Sequence, residues 1–311
     1  MGIRVGIIGI GWVGSSVALS TLLAGFANEL LLSDIRPRMA EGEAMDLAHG
    51  ASFYPAATVR VVNVEEMVGA DAIVVAAGRG GGPEESRLEL LTENAKVVRD
   101  IGLRLRGHSG MAIVVSNPVD VLTHVLAKSS GMPPERVIGT GTMLDTARLR
   151  QVIGQELRLD PRSIHAHIVG EHGDSEVVLW SGARVGGTPL REWPGWDSER
   201  EPSLAWQVRN AAHEIIRRKG ATNHAIGLAT AALLRWMLRG ERRVVTVSRV
   251  HAEVLGVRDV ALSLPSVLGT DGATRVIHPS MSIQERDGLQ RSAELMRRAV
   301  ESLEHSRQAA A

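Results

Sequence analysis

The stretch from Ile3 to Asp34 narrows the possible folds more than any other part of the chain. Ile3-Arg4-Val5-Gly6-Ile7-Ile8 is a short, mostly apolar, β-branched run that reads as a buried strand. Gly9-Ile10-Gly11-Trp12-Val13-Gly14 follows at once, and Ser15 to Leu23 then reads as a helix. A second strand, Leu30-Leu31-Leu32-Ser33, ends at Asp34, twenty residues after Gly14. In such a unit Gly9 permits the tight turn, Gly11 lets backbone approach a pyrophosphate, and Gly14 lets helix and strand pack closely. The helix N-terminus offers unpaired N–H groups and positive dipole potential to phosphates. Asp34 can accept hydrogen bonds from a ribose diol and repels a 2′-phosphate, so it favours NAD over NADP. Arg36 and Arg38 lie close enough to soften that preference.

A chain of 311 residues can bury a large core, here expected in two lobes. Its formal net charge is zero, which removes the electrostatic case for nucleic acid. Arg217-Arg218-Lys219 reads as the solvated end of a helix. Cysteine is absent, which excludes disulfides, thiolate catalysis and Cys-ligated metals. No metal site is expected. No charged-then-apolar leader precedes the first strand and no apolar run has membrane-spanning length, so a cytoplasmic protein without membrane partners is the expectation.

Strand and helix alternate through the first half. Arg36 to His49 reads as a helix, Thr58–Val62 and Asp71–Ala76 as strands, and Gly78 to Pro83 as a glycine-rich loop. A long helix is expected from about Glu84 to Arg106, a strand over Met111–Val115 that stops at Asn117-Pro118, and a helix from Val119 to Ser129. Arg136–Gly139 reads as the last strand. This rhythm, with continuously apolar strands, demands a parallel sheet covered on both faces. Residues 1–140 are therefore expected to form an α/β doubly wound dinucleotide-binding (Rossmann) domain, with ligands beyond the strand C-termini. Residues 141–311 read as an α+β lobe. It has a helix over Leu144–Leu157, strands Ile164–Val169 and Val177–Trp180 around the polar turn Gly170–Ser175, and helices near Ser203–Arg218 and Asn223–Leu238. Short antiparallel strands are expected around Val244–Ser248 and Val260–Leu264, and a closing helix from Ser282 with Glu285 spaced as a capping box.

Several polar residues beside turns could carry chemistry. Pro118 pushes Asn117 to an extended conformation at a strand end, where its amide faces the ligand cleft or simply makes a turn. Asp145 and Arg148 share one face of a helix start. They read either as a local ion pair, or as two separate tools: Arg148 a planar fork for a carboxylate, Asp145 a partner for another residue. His172, in a turn among glycines and acids, is the candidate for that residue. A nicotinamide-linked alcohol oxidation needs a group that takes a proton as hydride leaves, and histidine suits it. A carboxylate on its other ring nitrogen would fix the tautomer and favour imidazolium. The bland alternative for His172 is a solvated or capping residue. Arg87 follows the glycine loop. It reads as a surface arginine paired with Glu84 or Glu85, or as a cation on a lid whose closure brings it to a substrate carbonyl.

At these residues the chain resembles the L-lactate/malate dehydrogenase family along nearly its whole length. The matching segments are GIGWVG (Gly9–Gly14), Asp34, GEAMDLAHG (Gly42–Gly50), a stretch within Glu84–Asn94, SNPVDVLT (Ser116–Thr123), RVIGTGTMLDTARLR (Arg136–Arg150), HAHIVGEHGDSEV (His165–Val177), KGATNHAIG (Lys219–Gly227) and DVALSLPSVLG (Asp259–Gly269). The resemblance implies roles. His172 would be the proton acceptor and donor, Asp145 its orienting partner, Arg148 the clamp on the substrate carboxylate and Arg87 the mobile-loop arginine. Asn117 and Thr222 would line the substrate pocket. Val13, Asp34, Gly78 and Asn117 would contact NAD, together with Gly9, Gly11 and Gly14. It also implies a homotetramer, or a dimer able to become one.

Within that family, Glu85-Ser86-Arg87-Leu88 is similar to the lactate branch. The loop position that separates the branches, Gln for lactate and Arg for malate, aligns with Gly81. Glycine offers no charge partner, so oxaloacetate would bury an unpaired carboxylate at a cost of several kcal/mol. Pyruvate, or a larger apolar 2-oxo acid, fits better; Arg79 could serve a dicarboxylate if the loop register differs. Arg150 and His165 match positions through which bacterial relatives bind fructose 1,6-bisphosphate between subunits. They read either as such an effector site or as interface residues without one. The expectation is an NAD-dependent L-2-hydroxyacid dehydrogenase of the lactate type, reducing pyruvate with NADH. Malate dehydrogenase, a dehydrogenase for bulkier 2-oxo acids and a non-catalytic NAD(H)-binding protein are the alternatives.

Overall fold

A computed structural model of the chain describes residues 2–80 and 87–309. Gly81 and the Glu85-Ser86 pair lie outside the described residues, and so does the side chain of Arg87, whose backbone opens a helix. The first half runs β1 (Arg4–Ile8), α1 (Trp12–Ala24), β2 (Glu29–Ser33), α2 (Pro37–His49), β3 (Thr58–Val61), β4 (Ala72–Val75), α3 (Arg87–Arg104), β5 (Met111–Val114), α4 (Val119–Ser130) and β6 (Val137–Gly139). The second runs α5 (Met143–Leu157), β7 (Ile164–His165), β8 (Ile168–Val169), β9 (Val177–Val178), β10 (Arg184–Val185) and β11 (Thr188–Pro189), then α6 (Glu201–Lys219) and α7 (His224–Leu238). It closes with β12 (Val244–Val254), β13 (Val257–Gly269), β14 (Gly272–Val276) and α8 (Ile283–Ala309).

The large sheet has the order β3-β2-β1-β4-β5-β6-β12-β13-β14. Its first six strands are parallel, in the order of a dinucleotide-binding fold. β4 and β5 are buried at every position, as strands covered on both faces must be. Register brings the strand ends into one row: Ser33 beside Ile8, Ile8 beside Val75, Val75 beside Val114, and Val114 beside Gly139. The residues that follow each strand therefore emerge side by side. Gly9, Asp34, Gly78, Asn117 and Gly141 meet along this edge because the apolar runs before them end in register.

The sheet departs from the sequence expectation in its second half. β6 is the last parallel strand but not the sheet's end, because Ser248 of β12 pairs with Gly139 and continues it. The two strands expected to be short are 11 and 13 residues long. Ser248, His251, Ser263 and Ser266 interrupt the apolar run in sequence, yet all four are buried within the sheet. The connecting Leu255 and Gly256 both have positive φ, +49° and +86°, the conformation of a tight hairpin turn. No Asn-Gly or Asp-Gly announces it. Ile164–Val169, expected as one strand, is two: β7 pairs with β10, and β8 with β9. The capping box on α8 is present, with Ser282 N–H donating to Glu285 Oε2 at 2.7 Å and Glu285 N–H to Ser282 Oγ at 3.3 Å.

Candidate active site

The turn between β1 and α1 fits a dinucleotide pyrophosphate. A Cβ at Gly11 would meet nothing within 4 Å, so its backbone is open to a ligand. A Cβ at Gly14 would collide with the Gly9 carbonyl, so only glycine lets α1 start this close to β1. Gly9 has φ +92°, and a Cβ there would lie 2.6 Å from the Ala77 backbone. Asp34 straps the turn in place: its Oδ2 accepts the Ile10 N–H at 2.8 Å and its Oδ1 the Arg36 N–H at 2.9 Å. The Arg36 guanidinium lies over the same carboxylate at 3.3 Å. Val13 is half-buried beneath the turn.

Asn94 organises the neighbouring loops. It is buried, its Oδ1 accepts the Arg79 N–H at 3.0 Å, and its Nδ2 donates to the carbonyls of Arg79 and Asn117, both at 3.1 Å. The backbone after Gly78 is thereby tied to Asn117. The Asn117–Pro118 peptide is cis, and Asn117 Oδ1 accepts the Val119 N–H at 3.3 Å at the start of α4. Arg79 itself is committed to Glu93, with Nε 2.6 Å from Oε2.

His172 sits in the turn between β8 and β9, and this turn is anchored from three sides. Gly170 exchanges two backbone hydrogen bonds with Ser263 of β13. Glu171 N–H donates to Ser292 Oγ of α8 at 2.8 Å. The first turn of α5 holds β8 directly: Thr142 Oγ1 donates to the Ile168 carbonyl at 2.6 Å and Thr146 Oγ1 accepts the Ile168 N–H at 3.0 Å. That splice brings Asp145 and His172 together.

Asp145 is the hub. Its Oδ2 accepts from His172 Nδ1 at 2.5 Å and its Oδ1 from Arg148 Nη1 at 2.7 Å. The two readings of Asp145 and Arg148 are therefore not exclusive, since one carboxylate serves both neighbours. A carboxylate accepts only, so a proton stands on Nδ1 and Nε2 is the ring nitrogen left for proton exchange. Burial alone would push the His172 pKa down; the Asp145 charge and hydrogen bond outweigh it and hold it up at about 9. Burial would raise Asp145, yet His172 and Arg148 together hold it below its ordinary value. Arg148 is 14 % exposed, enough to present further N–H donors of its fork.

Two more acids stand close by. Asp120, in the first turn of α4, is buried, and its Oδ2 accepts the His172 backbone N–H at 2.7 Å. Glu176 is buried beside Arg209 of α6, with Oε1 3.8 Å from Nε. Burial, then the Asp145 charge, pushes Glu176 up to about 8. Sequence reading missed both, as well as Asn94. Asp120 looked like an ordinary acid at a helix start, and nothing local marks a glutamate as buried.

Thr222 lies half-buried between α6 and α7. Its neighbour Asn223 donates to Ser16 Oγ of α1 at 2.9 Å and accepts from Lys219 Nζ at 2.7 Å, so this corner docks against the dinucleotide turn. Arg150 Nε donates to the carbonyl of Ala166, the residue after His165, at 3.2 Å. Burial depresses the pKa of Arg150. Burial, then Arg150 and His165, pushes the adjacent His167 down to about 4. Among the described residues no group of three or more His, Cys, Asp or Glu could hold a metal ion. No helix among them is long and apolar enough to cross a membrane.

Two family models match in tandem. One described as lactate/malate dehydrogenase, NAD binding domain, covers residues 3–139. The other, the alpha/beta C-terminal domain of the same family, covers residues 142–306. An L-lactate dehydrogenase of Kosmotoga olearia is 44 % identical over 98 % of this chain and 98 % of its own. That of Thermus aquaticus is 42 % identical over 96 % and 99 %. Among solved structures, the minor L-lactate dehydrogenase of Enterococcus mundtii in a ligand-bound form superposes with a TM-score of 0.94 at 37 % identity, over 97 % of this chain and 98 % of that one.

Proposed function

The chain belongs to the lactate/malate dehydrogenase family, and on that premise we propose that it is an NAD-dependent L-lactate dehydrogenase, interconverting pyruvate and L-lactate. The observation that supports this best is the Asp145 carboxylate bridging His172 and Arg148. It ties the proton donor to the group that reads a substrate carboxylate, so both move as one unit.

NAD, held by the β1–α1 turn and Asp34, supplies hydride transfer at its nicotinamide ring. The protein does the rest. Arg148 offers a charge-assisted fork to the substrate carboxylate and sets which face of the 2-oxo carbon is presented. In reduction, His172 Nε2–H donates to the carbonyl oxygen and the imidazolium gives up its proton; in oxidation, the neutral ring takes the hydroxyl proton. Asp145 keeps Nδ1 protonated throughout and stabilises the imidazolium. Arg87 adds a cation at the developing oxyanion from the helix start behind the loop. Asn117 and Thr222 close the polar rim.

Pyruvate is preferred over oxaloacetate because Gly81 places no cation in the loop and Arg79 is paired with Glu93. Activity against a panel of 2-oxo acids with NADH tests this. The reading expects pyruvate to give the highest kcat/KM; oxaloacetate above pyruvate would mean malate dehydrogenase, and a rise with chain length would mean a bulkier substrate. No turnover with any of them would leave an NAD(H)-binding protein.

The protein works as a homotetramer in the cytoplasm. Support comes from α1, α2, the segment after α2 and α7, where Trp12, Leu19, Leu23, Met45, Phe53 and Leu228 are exposed apolar groups. A groove of about 500 Å³ is lined by Trp12, Leu19, Leu23 and Phe53 among others, and none of its walls is His172, Asp145 or Arg148. Fructose 1,6-bisphosphate binds between subunits through Arg150 and His165. Titrating it against pyruvate kinetics tests that site; a flat response, unchanged by Arg150→Gln, removes it.

A further inference from the structure

We propose that Asp120 is a second positioning carboxylate for His172: it fixes the backbone of the proton-transferring residue, and its negative charge favours the imidazolium. This rests on the dehydrogenase reading above and assigns a residue that reading does not use.

Asp120 Oδ2 receives the backbone N–H of His172 at 2.7 Å. His172 is thus gripped twice, at its ring by α5 and at its main chain by α4. The grip is short and local. It reaches from the segment that also carries Asn117, so one element supports both the proposed pocket wall and the turn that holds the proton donor. Asp120 is 2 % exposed, and its Oδ1 is buried without a hydrogen bond. Burial pushes its carboxyl up to about 6, offset in part by the neighbouring Ser248 hydroxyl and the His172 N–H.

An asparagine could accept the same N–H without the cost of burying a charge. The carboxylate is therefore more than the hydrogen bond requires. One alternative is compensation of the α4 dipole, since Asp120 lies in its first turn. That account explains a stabilising acid on an exposed turn. It does not explain why the acid is buried with its one good hydrogen bond on the catalytic residue. The charges around His172 make its use plain. Asp145 and Arg148 face it from α5, Asp120 from α4, Glu171 and Glu176 from its own turn, and Arg209 from α6 through Glu176. Arg148 opposes the imidazolium, and Asp120 supports it beside Asp145. The Asp120 charge acts on His172 in the opposite sense to Arg148, so it offsets part of the repulsion that the substrate clamp brings with it.

The test is the titration of the His172 ring, read by NMR from Cε1-labelled histidine in the full chain, with His172→Asn to assign the signal. Wild type, Asp120→Asn, Asp120→Ser and Asp120→Glu are compared. The expected midpoint in Asp120→Asn and Asp120→Ser is about one pH unit below wild type, with Asp120→Glu returning toward it. The alkaline limb of kcat/KM for pyruvate reduction should move down by a similar amount. Either neutral variant that folds suffices. A midpoint unmoved in both, even with lowered thermal stability, would assign Asp120 to the helix dipole and overturn the proposal. A midpoint shifted in the neutral variants, with wild type that never turns over pyruvate, would instead leave the proposal standing and sink the lactate reading.

Discussion

Asp145→Asn separates the electrostatic work of the central carboxylate from its shape. The side chain keeps its size but has one acceptor where the native residue has two. Its NH₂ must then face either Arg148 or His172 Nδ1, and the latter forces the wrong tautomer. With the charge gone, the burial that opposes the imidazolium is unbalanced. The His172 pKa then falls from about 9 to its ordinary value of 6.5 or lower. That difference corresponds to roughly 3 kcal/mol of imidazolium stabilisation. Pyruvate reduction requires the protonated ring, so the loss depends on pH. Near pH 5.5 both rings are almost fully protonated, and the protonation deficit is about 1.1-fold. It grows to roughly tenfold at pH 7.5 and roughly 75-fold at pH 8.5. Orientation loss adds a factor independent of pH. The assay is kcat/KM for pyruvate from pH 5.5 to 9.5, with NADH saturating, on both proteins. A variant-to-wild-type ratio constant across that range would refute the charge argument and leave Asp145 as a purely geometric brace.

Other perturbations reach different parts of the account. Arg148→Lys replaces a planar fork with a point charge; KM for pyruvate should rise roughly 100-fold while NADH affinity changes less than about threefold, as measured by fluorescence titration. Gly14→Ala puts a methyl group against the Gly9 carbonyl. It should cost about 1–3 kcal/mol in a denaturant melt and weaken NADH binding more than any other helix alanine. Gly81→Arg should raise kcat/KM for oxaloacetate relative to pyruvate by at least roughly tenfold, and an unchanged ratio would place the specificity position elsewhere in the loop.

Much of this was legible in the sequence because one physical signal was enough for each part. Apolar runs that stop before Gly9, Asp34, Gly78 and Asn117 and at Gly139 made five of the six parallel strands legible, with the more polar Thr58–Val61 as the sixth, and their common ending pointed to the ligand edge. His172, Asp145 and Arg148 stood out as candidates by residue type and spacing, and only the family resemblance chose among their readings; the double use of Asp145 was not legible, because a side chain with two oxygens is not visible as a bridge until both partners are in space. The hairpin between β12 and β13 was hidden because Leu255-Gly256 carries no turn signature and because buried serines and a buried histidine broke the apolar pattern. Asp120, Asn94 and Glu176 were opaque for a related reason. Burial of a polar side chain is a property of the assembled fold, and no local rule reads it from a helix start or a turn.

The most direct measurement compares His172→Asn with wild type for two quantities: the dissociation constant of NADH and the rate of NADH oxidation with saturating pyruvate. The account predicts NADH binding within about twofold of wild type and a rate reduced by roughly 10²–10⁴. A variant that binds NADH and still reduces pyruvate at close to the wild-type rate would contradict it.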